Sequence, residues 1–479
     1  MELQPTFSTG ETPNGAYYQQ DFSLESVDII TNSGETVKLK NLVTELSFFE
    51  DIYSFSVSGH VILRDAVGLI EKLSLDGNEF IQITYGKTKT QSTENKNSRK
   101  YRIYKVGDRR PVGNFTSEYF TLFFCSEALL LSEQIKIKKS YPKRQICTVK
   151  GTDEGIINDI LYNQLKVPEN RVVRLEESYG VYDFVVPTLK PFEAISWLSI
   201  YSRPKDTQIG ADMLFFETND GYYFRSLQSM YRDSPYKTYK VQPKNTETNM
   251  EPGEFENGIV TVLDIQFLKT FDVLNETSSG TYANKLITID PLTKSFKVTN
   301  YSYEKDYLQN NGKNKPATLN ENPPLGPGKN RLGVSQTAAY ESTVKVAFSN
   351  ANQSFAPYIK DRTGSVAQDI FIETYVPYRT AQISLANYTV LKLLVPGDSA
   401  ITAGRTINLN IYSLATDENG ARKLDNYFSG KYLVTAVRHI MQATGTYQTV
   451  LEIAKESTKK QLSSPNSSSS TYQKDLKES

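Results

Sequence analysis

Histidine is the first residue type to search for chemistry, and the 479 residues hold two, His60 and His439. A metal site or a nucleophile–base pair needs convergent partners, and neither histidine has a cysteine or a second histidine near it in sequence. Each ends an alternating strand pattern, where an isolated imidazole makes only local hydrogen bonds. Carboxylates pair at Glu50-Asp51, Asp153-Glu154 and Glu176-Glu177. General acid–base work needs two such groups to converge across a cleft, whereas neighbours in a strand point to opposite faces. The expectation is solvated surface, with Asp153-Glu154 favouring a helix N-terminus. Cys125 and Cys147 are too few for a disulfide framework and read as two reduced, partly buried thiols. No Gly-rich phosphate loop, HExxH, GxSxG or CxxC pattern occurs. The expected catalytic, cofactor-binding and metal-binding residues are therefore none, no cofactor is expected, and the chain reads as a non-enzyme.

One basic stretch, Lys136, Lys138, Lys139, Lys143 and Arg144, carries Tyr141 between its charges, a mixture that can bind nucleic acid. Lys+Arg and Asp+Glu both number 54, so no global charge recruits phosphates. A solvated linker or a protein-contact surface is the expectation for this stretch. No basic-then-apolar leader opens the sequence and no apolar run could span a bilayer, so the chain is expected to be made, and first folded, in a cytoplasm.

The elements that must position these residues are mostly strands. Tyr (31) and Phe (23) are abundant beside a single Trp, a composition that favours sheet. Phe55, Val57, Val61 and Leu63 alternate with Ser54, Ser56, Ser58 and His60, and Gly59 inside that run predicts a bulge or a close backbone approach. Ile81, Ile83 and Tyr85 form another apolar strand face, Lys87 to Lys100 reads as a long hairpin tip, and Tyr119 to Phe124 closes the first β region. Glu154 to Leu165 has helical spacing, with Thr152 or Asp153 as cap. Pro191 to Tyr201 is a second helix, its proline in the first turn. Asn219-Asp220-Gly221 predicts a hairpin between Met213 to Phe216 and Tyr222 to Ser226, and Asp290 to Lys294 predicts another between Leu286 to Ile289 and Phe296 to Val298. A strand is expected over Gly258 to Phe267, a mobile loop over Gln309 to Gly333, and a short helix over Arg379 to Ala386. In the last block Ile407, Leu409 and Ile411 share one face, as do Tyr447, Thr449, Leu451 and Ile453, the signature of half-buried antiparallel strands.

Several stretches together resemble the baseplate hub protein of contractile-tailed, T-even-type bacteriophages, and are similar to the hub portion of type VI secretion spike proteins. They are V-P-G-D (Val395 to Asp398), A-G-x-x-I-x-L (Ala403 to Leu409), S-G-K-Y-L-V-T-A-V-R-H (Ser429 to His439) and the closing strand Tyr447 to Lys455. Earlier come F-F-E-D-I-Y-S-F-S-V-S-G (Phe48 to Gly59), L-x-L-D-G-N-E-F (Leu73 to Phe80), P-F-E-A-I-S-W-L (Pro191 to Leu198) and F-F-E-T-N-D-G-Y-Y-F-R-S-L (Phe215 to Leu227). The resemblance implies a mainly β fold with an α+β part: two tail-tube-like antiparallel β-barrel domains plus a small α+β domain and an insertion. Its expected divisions are an N-terminal arm (1–20), a first barrel (21–125), the α+β domain (126–250), a second barrel (251–280 and 385–457), an inserted domain (281–384, mobile loop 309–333) and a disordered tail (458–479). Implied too are a homotrimeric ring of pseudo-six-fold symmetry and a place in the virion tail baseplate after assembly in the host cytoplasm. The implied partners are a central spike protein, tail tube or tube-initiator proteins, surrounding baseplate proteins and genomic DNA passing through the lumen without specific binding. Alternatives from the same residues are the hub of a secretion or phage-derived injection machine, a glycan-binding or glycan-cleaving tail protein, and a nucleic-acid-binding protein.

Overall fold

The computed structural model describes residues 22–73, 75–87, 96–113, 116–206, 211–241, 261–290, 294–308, 316–326, 344–348, 372–416, 422–443 and 445–461. It is mainly β, with several antiparallel sheets, none closed on itself among the described residues. The first region comprises β1 (Phe22–Ile30), β2 (Thr36–Lys38), β3 (Val43–Asp51), β4 (Ser58–Asp65), α1 (Leu69–Leu73), β5 (Phe80–Lys87), β6 (Lys96–Val112) and β7 (Ser117–Cys125). A mixed region follows, with α2 (Glu127–Gln134), β8 (Ile137–Arg144), α3 (Ile156–Asp159), β9 (Val172–Leu175), β10 (Tyr182–Leu189), α4 (Pro191–Tyr201), β11 (Met213–Glu217), β12 (Tyr222–Ser226) and α5 (Leu227–Arg232). Next come β13 (Thr238–Val241), β14 (Asp264–Lys269), α6 (Val273–Ser278), β15 (Ala283–Asp290), β16 (Ser295–Ser302), β17 (Val344–Phe348) and α7 (Val376–Ala386). The final block is β18 (Thr389–Pro396), β19 (Thr406–Thr416), β20 (Arg422–Leu424), β21 (Gly430–Gln442) and β22 (Tyr447–Lys455).

Strands from both ends of the chain share one sheet, in the order β14-β18-β22-β21-β3-β4-β7-β6-β5-β1-β2, with β19 branching from β21 to meet β13 and β20. The branch point is β21. Its first residues pair with β19 (Leu433 opposite Thr406) and its later ones with β3 (Ala436 opposite Asp51, Gln442 opposite Glu45). The partner changes where the register with β22 shifts, between Val434 and Ala436. A bulge bends and over-twists a strand, which lets one strand leave one neighbour and take another. Thr435, the residue inside the bulge, uses its carbonyl for the Ile52 N–H at 3.0 Å. Lys240 of β13 also forms an isolated parallel bridge with Thr261, shortly before β14.

Alternation decides what is buried. Val27, Ile29, Leu46, Phe48, Val61, Leu63, Ile81, Ile83, Leu122 and Phe124 face one core in the first region. Leu391, Leu393, Ile407, Leu409, Leu451 and Ile453 face a second. The mixed region packs α3 and α4 around Ile156, Ile160, Phe192 and Ile195. Gly59 is a close approach rather than a bulge: the register runs through it unbroken, and a Cβ there would meet the Phe124 ring and, at 2.5 Å, the Ser47 carbonyl.

Several expectations are corrected. Lys96 to Lys100 are paired strand residues of β6, not hairpin tip, because β5 runs opposite them as far as Gly86; residues 88–95 lie outside the described residues. The helix expected over Glu154 to Leu165 is α only over Ile156–Asp159 and continues as a π-turn over Ile160–Gln164. Its cap is Gly155, not Thr152 or Asp153, since the Thr152 hydroxyl is spent on Thr148 and the Val149 carbonyl. α7 begins at Val376 and takes Pro377 into its first turn, where the missing N–H costs nothing. Within the expected mobile loop, residues 316–326 are packed: Leu319 and Asn320 are buried, and Asn322 exchanges two backbone hydrogen bonds with Thr458. The tail is therefore anchored at its start, with Thr458 buried. The arm 1–20, the loop residues 309–315 and 327–333, the strand start 258–260 and the tail 462–479 lie outside the described residues.

Candidate functional site

The polar side chains that do most in this molecule lie at the seam where β3, the β11–β12 hairpin and the β18–β19 connection meet. β3 alternates Leu46, Phe48 and Glu50 inward, so Glu50 arrives on an apolar face, 2% exposed. Its carboxylate accepts the Asn219 N–H at 2.7 Å and the Ala403 N–H at 3.0 Å. Burial pushes its pKa up to about 7, offset in part by those two donors. Asn219 sits in the hairpin tip, a tight turn closed by reciprocal Thr218–Gly221 hydrogen bonds. Gly221 has φ +143°, and a Cβ there would strike the Arg171 carbonyl, so only glycine fits. The Asn219 side chain donates to the Tyr85 hydroxyl and accepts from Tyr101 Oη at 3.3 Å, plugging the tip into the first core.

Glu217, two residues before Asn219 at the end of β11, secures the same hairpin. It is buried and accepts from the Val57 N–H (3.1 Å), Ser126 Oγ (3.1 Å) and Arg171 Nη2 (2.9 Å). Burial raises its pKa, and the Arg171 charge opposes the rise. On the far side Asp398, the last residue of V-P-G-D, takes Lys237 Nζ at 2.5 Å and the Tyr236 hydroxyl at 3.1 Å. Burial disfavours its charge, yet the Lys237 contact wins and holds its carboxyl below the usual range. Beside this seam opens a cleft of about 250 Å³ whose lining includes Phe216, Tyr223, Arg225, Tyr236, Gly404 and Arg405. Carboxylates that gather backbone N–H groups from distant segments fix the relative placement of those segments.

Sequence reasoning placed Glu50 in solvent, and the structure corrects that. The legible signal was the i, i+2 spacing of Leu46, Phe48 and Glu50, which puts a carboxylate on a core face. Glu176 is likewise drawn inward, accepting the Ser226 N–H and hydroxyl at 2.8 Å each. Asp51 accepts the Tyr53 N–H, and Glu177 pairs with Lys205 at 2.7 Å. The Asp153 and Glu154 carbonyls accept from Arg144. Glu217, Asn219 and Asp398 were not read as buried joints, because the partners that hold them lie 46 to 169 residues away and spacing does not encode such contacts.

The other candidates stay apart. His60 lies 3.6 Å from Glu45 against the Phe49 ring, and burial lowers its pKa. His439 is buried, with Nδ1 3.0 Å from the Tyr447 hydroxyl, and burial pushes it down to about 4. In the basic stretch, β8 turns Tyr141 inward, where its hydroxyl donates to Asp159 at 2.8 Å beside Lys139. Tyr141 is thus no exposed stacking platform. Cys125 and Cys147 are free and fully buried rather than partly so, and burial raises both thiols, Cys125 to about 12. Among the described residues no group of three or more His, Cys, Asp and Glu could hold a metal, and no helix is long and apolar enough to cross a membrane.

No family model matches the chain, and no curated protein matches it in sequence. Among solved structures, a tail protein from Neisseria meningitidis is similar over 90% of this chain and 96% of its own, at 9% identity and TM-score 0.46. A 43 kDa tail protein of a Shewanella oneidensis prophage is similar over 90% of this chain and 98% of its own, at 8% identity and TM-score 0.45. An E. coli component of the type VI secretion system covers 88% of this chain with 76% of its own, at 9% identity and TM-score 0.37.

Proposed function

We propose that this chain is a structural baseplate hub of a contractile phage tail, three copies forming a pseudo-six-fold ring that joins a central spike to the tail tube and lets DNA pass. One observation carries the reading. The stretches Phe48 to Gly59 and Ser429 to His439, which resemble the hub family from opposite ends of the chain, are hydrogen-bonded neighbours: His439 lies opposite Phe48 and Arg438 opposite Phe49. A third such stretch, Phe215 to Leu227, supplies the hairpin tip that Glu50 holds at the same joint. Pieces that resemble one family and converge on one joint speak for a shared architecture more than isolated motifs do.

The two strand regions, 21–125 and 251–280 with 385–457, are the tube-like units of this reading. Three chains then present six such units, the number required where a three-fold spike meets a six-fold tube. Among the described residues β14 is an edge strand, bordered by exposed Phe267, Leu268, Phe271 and Leu274, where another protein can add in this reading. Partners in this reading are the spike, the tube or its initiator, and neighbouring baseplate proteins, in the virion. A net charge of zero suits a lumen that passes DNA without holding it. Size-exclusion chromatography with light scattering tests the ring. Three chain masses, with a six-lobed top view by electron microscopy, are expected; a monomer that stays monomeric when the spike is added ends the hub reading.

A further inference from the structure

Residues 316–326 form a strap along the end of β22. The Leu319 N–H donates to Glu456 Oε1 at 2.5 Å, the Asn320 N–H to Ser457 Oγ at 2.7 Å, and Asn320 Nδ2 to the carbonyls of Lys431 and Ser457 at 3.0 Å each. Under the strap is a cavity with a free volume of about 10 Å³, room for about one water. Asp212, Tyr231, Tyr307, Ala317, Gln382 and Glu456 are among its lining residues. Three of these side chains are over nine-tenths buried and carry atoms without a hydrogen-bond partner among the described residues: Asp212 Oδ1, Glu456 Oε2, and both Oε1 and Nε2 of Gln382. The second Asp212 oxygen is occupied by the Gln228 N–H at 3.1 Å.

An ionised carboxylate only accepts hydrogen bonds, whereas a protonated one also donates. Gln382 offers an unused acceptor and an unused donor at the same cavity. With both carboxyls neutral, each free oxygen gains a donor that the amide oxygen or one water can accept. With both ionised, two buried charges face the cavity and share the unused Gln382 donor, and burial outweighs the Leu319 and Ser457 hydrogen bonds that favour the charged Glu456. We propose that the strap is a proton-controlled clasp, closed when Asp212 and Glu456 are protonated and loosened when they ionise.

Burial pushes both carboxyls up to about 7, placing the transition in the neutral range. The charged and titratable groups around them do not remove it. Asp212 has the Arg379 guanidinium of α7 favouring its charge and Glu176 opposing it. Glu456 has Lys455 beside it, itself pushed down to about 7 by burial, and Lys431 of β21 within electrostatic reach. Tyr231 and Tyr307 face both carboxyls, with their own pKa values raised far from neutrality.

Hydrogen–deuterium exchange of the full chain, corrected for intrinsic rates, tests the clasp. Peptides containing Leu319 to Asn322 are expected to lose about tenfold in protection between pH 6 and pH 8. Asp212→Asn and Glu456→Gln, which mimic the neutral acids, are each expected to flatten that profile. A flat wild-type profile overturns the proposal, as does an unchanged slope in both variants, which would assign the effect to Lys455 or Glu50. Should either variant not fold, infrared spectroscopy of the wild type decides: a buried protonated carboxyl band at pH 6 that disappears by pH 8 supports the clasp, and its absence at pH 6 refutes it.

Discussion

Glu50 accepts the backbone N–H of Asn219 at 2.7 Å across 169 residues of sequence, joining a strand of the first region to the hairpin tip of the mixed one. Its second oxygen takes Ala403 from the last block, so one carboxylate spans three parts of the molecule. Glu50→Ala leaves both N–H groups buried without an acceptor, and each such orphan costs about 1–3 kcal/mol. The expected loss is roughly 2–5 kcal/mol, against about 1–3 kcal/mol for Glu50→Gln, which keeps one acceptor oxygen and orphans one N–H. Chemical denaturation of the two variants reads the difference; equal losses would mean that bulk, not hydrogen bonding, holds the seam.

Glu50 also sets a pH dependence. Its folded pKa, about 7, lies above the ordinary 4.5. Its contribution to stability is therefore fully present below pH 4.5 and is lost as pH rises through 7. Glu50→Gln should flatten this arm by roughly 2–3 kcal/mol between pH 4.5 and 7.5. The check is the difference in unfolding free energy between wild type and variant across that range.

Arg171 lies 2.9 Å from the buried Glu217. Removing one partner of a buried pair strands the other charge, so Arg171→Met should cost about 3 kcal/mol, with much of it restored by adding Glu217→Gln. A double-mutant cycle measures the coupling, and simple additivity would refute it.

His439 works in the opposite sense to Glu50. Its folded pKa, about 4, lies below the ordinary 6.5. The stability it supports is present above pH 6.5 and is lost as pH falls through 4. His439→Gln should remove roughly 2–3 kcal/mol of acid sensitivity over that window. Acid titrations followed by circular dichroism distinguish the two, and identical wild-type and variant curves would show that the histidine is silent.

Gly59 has no room for a side chain, since a Cβ would meet the Ser47 carbonyl at 2.5 Å. Gly59→Ala should destabilise by about 1–3 kcal/mol through overpacking. A variant as stable as wild type by thermal unfolding would mean that β3 and β4 separate there at no cost.

Much of the strand framework was legible in the sequence, because period-two alternation and turn residues are local. The Ile407, Leu409, Ile411 face, the Asn219-Asp220-Gly221 hairpin and the Pro191 to Tyr201 helix all depend on neighbours within a few residues. What packing alone decided involves partners far apart in sequence. Glu50 looked like surface because a carboxylate is usually solvated, yet two distant N–H groups repay part of its burial. The loop read as mobile from its Asn, Pro and Gly content is clamped over 316–326, because Asn320 and Leu319 find partners on Lys431, Glu456 and Ser457. The sharing of β21 between β19 and β3 follows from a bulge at Thr435. Residue types determine which face of a strand is apolar; only the assembled fold determines which strand, and which buried donor, lies opposite.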